Sequence, residues 1–142
     1  MIWLLRHAEA EPGSPDDARP LTKKGEQQAR TAGRALAKLG VKFDLCLTSP
    51  RVRAEDTARL ACEFLDVEVR IERQLSGGPF DPEELAAGLD EVLLVGHDPD
   101  FSTAVHDMTG AQVRMKKGGI AAVAKGELVV LLRPRELRAI AD

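Results

Sequence analysis

Short apolar runs alternate along the chain with longer segments in which apolar and small residues recur at helical spacing. Most of the runs are continuous, which is typical of strands buried on both faces of a parallel sheet. The last two are separated only by Lys125 and Gly126, so they form a hairpin in which the glycine supplies the turn. The predicted strands cover residues 2–5, 43–48, 67–71, 91–96, 119–124 and 127–132.

The segments between the strands carry helix start and stop signals. Thr22 can cap the first helix, which ends near Gly40. Ser49-Pro50 and Asp98-Pro99 each place a capping residue before a proline at the first helical position. The segment 9–20 has three prolines and two adjacent aspartates, and is predicted to be a long functional loop. The predicted helices cover residues 22–39, 49–65, 83–88 and 98–110.

This alternation of strands and helices predicts an α/β fold. We expect a three-layer sandwich with a mostly parallel central sheet, helices on both faces and a C-terminal antiparallel hairpin. Linkers, internal repeats and low-complexity tracts are absent from the 142 residues. Residues 1–142 are therefore predicted to form a single domain.

Composition excludes several classes of function. The net charge is -3, which argues against a general nucleic-acid or membrane-surface binder, and only 4% of the residues are aromatic, which leaves few platforms for stacking bases. No apolar run approaches the roughly 20 residues of a membrane span. Cys46 and Cys62 lie in apolar stretches without the spacing of metal ligands, which is typical of reduced thiols in a cytoplasmic protein.

Polar residues follow three of the predicted strands at the points where those strands end. They are Arg6-His7, Ser49 with the Arg51/Arg53 pair, and Gly96-His97. Ligands of open α/β sheets bind beyond the carboxyl ends of the strands, so we expect the three groups to meet at one edge. Two arginines that are two positions apart on a helix point to different sides, so we expect Arg53 to enter the site and Arg51 to stay solvated. An arginine buried at a helix N-terminus opposes the helix dipole unless an anion shares the site, which indicates an anion.

The remaining histidine and lysine candidates are explained without a metal site or a further catalytic role. A metal held by His7 and His97 would need a third ligand, and no carboxylate at a suitable spacing is evident, so no metal site is predicted. His106 lies in the middle of a predicted helix and is interpreted as an ordinary histidine. Lys116 and Lys117 precede the hairpin and are assigned no role, since a solvated basic turn explains them equally well.

Four motifs together resemble the histidine phosphatase superfamily, the phosphoglycerate-mutase-like proteins. They are Leu-Leu-Arg6-His7, Arg19-Pro20-Leu21-Thr22 with Gly25, Ser49-Pro50 leading to Arg53-Ala54 and Thr57, and Val95-Gly96-His97. The likeness extends in order over nearly the whole chain. The short length is similar to that of the SixA-type phosphohistidine phosphatases. One departure is Ala8, at a position where the family commonly has glycine.

The resemblance implies a metal-independent phosphatase that needs no cofactor. His7 would be the nucleophile that forms a phosphohistidine intermediate, which water then hydrolyses. Arg6 and Arg53 would hold the phosphoryl oxygens, His97 would donate to another oxygen, and Arg19 would be a further substrate contact. The partner would be a phosphorylated substrate, such as a phosphohistidine-bearing protein, and neither a nucleic acid nor a membrane.

The sequence leaves the leaving-group acid and the substrate open. Larger relatives use a carboxylate as this acid, and SixA-type members generally lack the usual glutamate, which mildly favours phosphohistidine as substrate. The alternatives are a small-molecule phosphatase and a catalytically silent module that binds a phosphorylated ligand. The acids in rough reach of the site are Glu9, Asp16, Asp17, Glu72 and Asp98, and no spacing singles one out.

Overall fold

Six strands form one mixed sheet at the centre of the computed structural model, which describes residues 1–142. The strands are β1 (Ile2–Arg6), β2 (Leu45–Thr48), β3 (Val69–Ile71), β4 (Val92–Gly96), β5 (Ile120–Ala124) and β6 (Glu127–Leu132). Their order in the sheet is β3-β2-β4-β1-β5-β6. The β1–β4, β4–β2 and β2–β3 pairs are parallel, whereas β5 runs antiparallel to both β1 and β6. The prediction of an α/β fold with a mostly parallel sheet and a closing hairpin is confirmed.

Helices cover both faces of the sheet because neighbouring strand residues point to opposite sides. The helices are α1 (Lys23–Lys38), α2 (Val52–Cys62), α3 (Pro82–Leu85), α4 (Asp100–Thr109) and α5 (Pro134–Ala141), with 3₁₀ turns at Asp16–Ala18 and Arg73–Ser76. Leu5 of β1 belongs to one buried cluster with residues of α1, α2 and α5. Leu4 belongs to the other, with Phe101 and Val105 of α4. None of the helices has the length and hydropathy needed to cross a membrane.

The strand register aligns the carboxyl ends of three neighbouring strands. Arg6 of β1 lies opposite Gly96 of β4, and Thr48 of β2 lies opposite Val95. The ladder continues one residue further, because the His7 N–H donates to the Gly96 carbonyl at 2.9 Å and the Ser49 N–H donates to the Val95 carbonyl at 3.0 Å. The polar residues that follow these strands therefore start side by side.

Two predicted helix starts are wrong. Helix α2 begins at Val52 rather than at Pro50, because the Ser49 side chain accepts a hydrogen bond from the Arg51 N–H and is not the cap of the helix. Helix α4 begins at Asp100, and the Asp98 carboxylate accepts from the Ser102 N–H inside its first turn. The predicted Thr22 cap is present, with its side chain accepting from the Gly25 N–H.

Other boundaries also differ from the prediction. Helix α2 ends at Cys62, and β2 and β3 are shorter than the apolar runs that predicted them. Helix α5 was not predicted at all. It begins with Pro134 after Arg133 and buries Leu137 against the first core cluster.

Candidate active site

His7 lies directly beyond β1 and is 6% exposed. Its Nδ1 is 2.8 Å from the Ala8 carbonyl, which can only accept, so Nδ1 carries the hydrogen and Nε2 keeps a free lone pair. Burial lowers the pKa of His7 to about 4, and the charges of Arg53, Arg6 and Lys117 add to this effect against the Ala8 hydrogen bond. At neutral pH the ring is therefore uncharged and nucleophilic at Nε2.

His97 faces His7 across the end of the sheet. The two ring centroids are 5.3 Å apart, and His97 is also 6% exposed. Burial, followed by the influence of His7 and the charge of Arg53, lowers the pKa of His97 to about 3. Its Nε2 lies 2.8 Å from the Ser49 hydroxyl. This hydroxyl already accepts from the Arg51 N–H, so its own hydrogen is available for Nε2.

Arg53 projects from the first turn of α2 and is 4% exposed. Its Nη1 donates to the Asp16 carbonyl at 2.8 Å and its Nη2 donates to the Asp16 carboxylate at 3.1 Å. Arg6 is anchored differently, since its Nη1 donates to the Met115 carbonyl at 2.8 Å. The charges of both arginines act on His7. Asp16, bonded to Arg53, is the only negative group that pairs with either cation.

Three buried nitrogen atoms of this group have no hydrogen-bond partner: Arg6 Nε, Arg53 Nε and His97 Nδ1. No other buried side-chain nitrogen or oxygen in the molecule is without a partner. Buried polar atoms are normally paired in proteins, and each exception calls for an explanation. Two positively charged donors and a neutral imidazole beside a free His7 Nε2 are suited to bind an oxyanion.

Backbone contacts fix the residues around His7. Thr57 links the two sides of the site, because its hydroxyl donates to the Arg53 carbonyl at 2.7 Å and accepts from the Ala8 N–H at 3.0 Å. The Gly118 N–H is shared between the carbonyls of Arg6 and His7, at 3.1 Å from each. The backbone on both sides of His7 is thus held by α2 and by the loop before β5.

Asp16 connects three arginines at the outer side of the site. Its carboxylate accepts from Arg19 at 3.0 Å, from Arg51 at 3.2 Å and from Arg53 at 3.1 Å. The hydrogen bond from Arg53 is the main reason that the pKa of Asp16 is lowered. Arg51 lies at the surface, with 30% of its side chain exposed, and also pairs with Asp17 at 3.3 Å. Arg19 contacts the group through Asp16 rather than through His7.

The carboxylates proposed as acids from the sequence all have partners. Glu9 accepts from the Thr22 hydroxyl at 2.8 Å, and Asp16 and Asp17 are paired with arginines as described. Glu72 accepts from the Gln74 N–H, and Asp98 accepts from the Ser102 N–H and hydroxyl. None of the five is hydrogen-bonded to His7 or His97, whose side-chain partners are the Ala8 carbonyl and the Ser49 hydroxyl.

Two groups contribute to the site in ways that the sequence did not predict. The Ser49 hydroxyl was predicted to cap a helix, and Lys117, whose charge acts on His7, was left without a role. No three histidine, cysteine, aspartate or glutamate side chains are grouped so that they could hold a metal ion.

Comparison with known proteins identifies relatives for this arrangement. A protein of Picosynechococcus sp. with no assigned activity is 33% identical over 140 residues, covering 88% of this chain and 85% of that protein. The mitochondrial serine/threonine-protein phosphatase Pgam5 of Drosophila persimilis is 38% identical over 68 residues. This match covers 47% of the chain but only 24% of the Drosophila protein, so it extends over about a quarter of that relative's length.

A solved structure has the same fold over almost the entire chain. The protein histidine phosphatase SixA complexed with tungstate superposes with a TM-score of 0.84 at 23% sequence identity, covering 96% of this chain and 98% of SixA. The sequence model of the histidine phosphatase superfamily (branch 1) matches residues 2–80, which is more than half of the chain and includes β1, α1, β2 and α2. The chain therefore belongs to branch 1 of the histidine phosphatase superfamily.

Proposed function

We propose that the protein is a metal-independent phosphatase that transfers a phosphoryl group to His7 and then to water. The observation that carries this proposal is the set of three unpartnered buried nitrogens on Arg6, Arg53 and His97, next to a neutral His7 with a free Nε2. A phosphoryl dianion offers acceptors to all three and a phosphorus atom to the nucleophile.

The first step forms a bond between His7 Nε2 and phosphorus while the bond from phosphorus to the leaving atom breaks. His7 Nδ1 keeps its hydrogen bond to the Ala8 carbonyl throughout, which stabilises the positive ring that forms. Arg6 and Arg53 balance the charge on the phosphoryl oxygens. Water then attacks phosphorus, the bond to Nε2 breaks, and inorganic phosphate leaves a neutral His7.

His97 acts as a neutral donor in this scheme. Its pKa of about 3 keeps it uncharged, so it has a single ring hydrogen. When the Ser49 hydroxyl donates to Nε2, that hydrogen resides on Nδ1, the nitrogen without a partner. Ser49 is therefore a positioning residue that selects the tautomer able to donate to a phosphoryl oxygen.

The same geometry favours phosphohistidine as the substrate. An ester oxygen needs a proton as it leaves, and no carboxylate is hydrogen-bonded to His7 or His97, beside which that oxygen would lie. A phosphohistidine ring takes a proton from solvent on its second nitrogen and then leaves as neutral imidazole without an acid from the protein. The fold similarity to SixA, which is a protein histidine phosphatase, agrees with this choice.

The test is to trap the phosphorylated enzyme. Labelled phosphohistidine should transfer acid-labile, base-stable label to His7 in the presence of EDTA, and His7→Ala should abolish both labelling and turnover. His106→Ala is the matched control, because His106 is exposed on α4 and should leave turnover unchanged. Wild-type turnover in His7→Ala would refute the nucleophile assignment. Tight phosphate binding without turnover of phosphohistidine or of small phosphoesters would instead indicate a silent binding module.

Arg53→Ala tests the electrostatic part of the proposal. By analogy with the loss of one preorganised donor, kcat/KM should fall by about 10²–10³-fold. Arg59→Ala is the control on the same helix, since Arg59 is half exposed and pairs only with Glu55. A rate for Arg53→Ala within about twofold of that of Arg59→Ala would contradict the role of Arg53.

A further inference from the structure

The segment of residues 114–117, called here the basic strap, separates the candidate active site from a second concave surface. Its backbone is fixed on the side of the active site, because the Met115 carbonyl accepts a hydrogen bond from Arg6. Directly after the strap, the Gly118 N–H donates to the His7 carbonyl. Its other side lines a groove of about 360 Å³. The walls of this groove include Arg114, Lys116 and the exposed Leu131.

The charges of the strap stand out against a chain of net charge -3. The sequence has no acidic residue between Asp107 and Glu127, whereas the strap carries Arg114, Lys116 and Lys117. All three are exposed and none forms an ion pair. On the opposite wall of the groove, Arg133 is neutralised by Glu136 at 2.8 Å.

Neighbouring residues of the strap lie near different surfaces, one at the active site and one at the groove. Lys117 is close enough to the nucleophile for its charge to act on His7, while Lys116 lines the groove. A ligand held at His7 would therefore meet positive charge next to the phosphoryl group, and again further out on the far side of the strap. One phosphate does not need charge in both places, but a polypeptide that crosses the strap can contact both.

We propose that the basic strap and its groove bind an acidic polypeptide segment, so that the preferred substrate is a phosphorylated residue flanked by carboxylates. This proposal rests on the phosphatase function proposed above and specifies its substrate. Arg114 and Lys116 bind the flanking carboxylates, Lys117 binds the carboxylate nearest the phosphoryl group, and Leu131 supplies apolar contact. Pairing of exposed charges gives modest affinity that depends on salt and speeds association.

The test compares two phosphohistidine peptides that differ only in three flanking residues on each side, glutamate in one and glutamine in the other. At low salt, kcat/KM for the glutamate peptide should exceed that for the glutamine peptide by about three- to tenfold, and added NaCl should remove the difference. Lys116→Glu and Arg114→Glu should abolish the preference while hydrolysis of p-nitrophenyl phosphate stays within about twofold of wild type. Lys42→Glu is the control, since it makes the same charge change just before β2, at the end of that strand away from the site.

Peptide binding to the His7→Asn protein, measured by fluorescence anisotropy, separates this proposal from the proposed function. If no substrate is hydrolysed, the phosphatase function fails, and tighter binding of the glutamate peptide that is lost in Lys116→Glu still supports the docking surface. Equal kcat/KM and equal binding for both peptides would overturn the proposal. Identical behaviour of Lys116→Glu and Lys42→Glu, or tighter binding of single-stranded DNA than of the glutamate peptide, would overturn it as well.

Discussion

Acidification should destabilise the protein through His7, because the folded state keeps this ring neutral. The perturbation is a change from pH 7 to pH 4, compared between the wild type and His7→Asn. The asparagine amide can still donate to the Ala8 carbonyl, as Nδ1 does, but it does not titrate. His106→Asn is the matched control, since His106 also donates from Nδ1 to a carbonyl but is exposed.

The sign follows from the direction of the pKa shift. The pKa of His7 is about 4 in the folded protein and 6.5 ordinarily, so the unfolded chain binds the proton more readily. The stabilising contribution is complete above pH 6.5 and is lost as the pH falls towards 4. A difference of 2.5 between the two values, at 1.36 kcal/mol for each pKa unit, corresponds to about 3 kcal/mol.

Urea unfolding at pH 7, 6, 5 and 4 measures this difference. The free energy of unfolding of the wild type should fall by about 3 kcal/mol more than that of His7→Asn over this interval, and His106→Asn should follow the wild type. Parallel curves for the wild type and His7→Asn would show that His7 is not held neutral. The reasoning about its nucleophilic nitrogen would then fail too.

Three further substitutions test the groups around the nucleophile. Asp16→Asn removes the carboxylate that competes for Arg53, so inorganic phosphate should bind about threefold to fivefold more tightly by calorimetry, and weaker binding would mean that Asp16 positions Arg53 instead. Ser49→Ala should lower kcat rather than raise KM, and it should change the ¹⁵N chemical shifts of His97, because the His97 Nε2 loses its hydrogen-bond partner. Unchanged shifts would contradict the tautomer assignment. Gly25→Ala should lower both Tm and activity, because a Cβ there would lie 2.0 Å from the Glu9 carbonyl oxygen, and a wild-type Tm would contradict this close approach.

The part of the site that lies on the strand ends was predictable because it depends on local patterns and one general rule. The apolar runs of β1, β2 and β4 each stop at a polar residue, and parallel strands bring such residues to one edge. His7, Ser49 and His97 accordingly begin next to one another. The same argument predicts that Arg53 lies at this edge, because a helix that follows a strand begins at the edge of the sheet where the strand ends.

The rest depends on contacts between distant parts of the chain. Ser49 was predicted to be a cap, but its hydroxyl bonds to His97, which is 48 positions away, and α2 begins at Val52. Asp16 lies in a proline-rich loop whose path is not set by periodicity, so its contact with Arg53, 37 positions away, has no sequence signal. Helix α5 did carry a local signal, Pro134 and Glu136 in its first turn, but it is only 8 residues long and buries only Leu137.

The candidate active site contains the three buried side-chain nitrogens that have no hydrogen-bond partner in the molecule. Two arginines with unpartnered Nε atoms and two histidines kept neutral by burial and positive charge lie together, and Asp16 is the only acid that reaches the buried Arg53. Burying such groups costs free energy, which the two core clusters on either side of the sheet offset. The site therefore has more hydrogen-bond donors than acceptors and an excess of positive charge. A dianion neutralises more of this charge than a monoanion does, and a neutral ligand neutralises none of it. Preference for a phosphoryl group thus follows from the same electrostatics that leave His7 uncharged and nucleophilic.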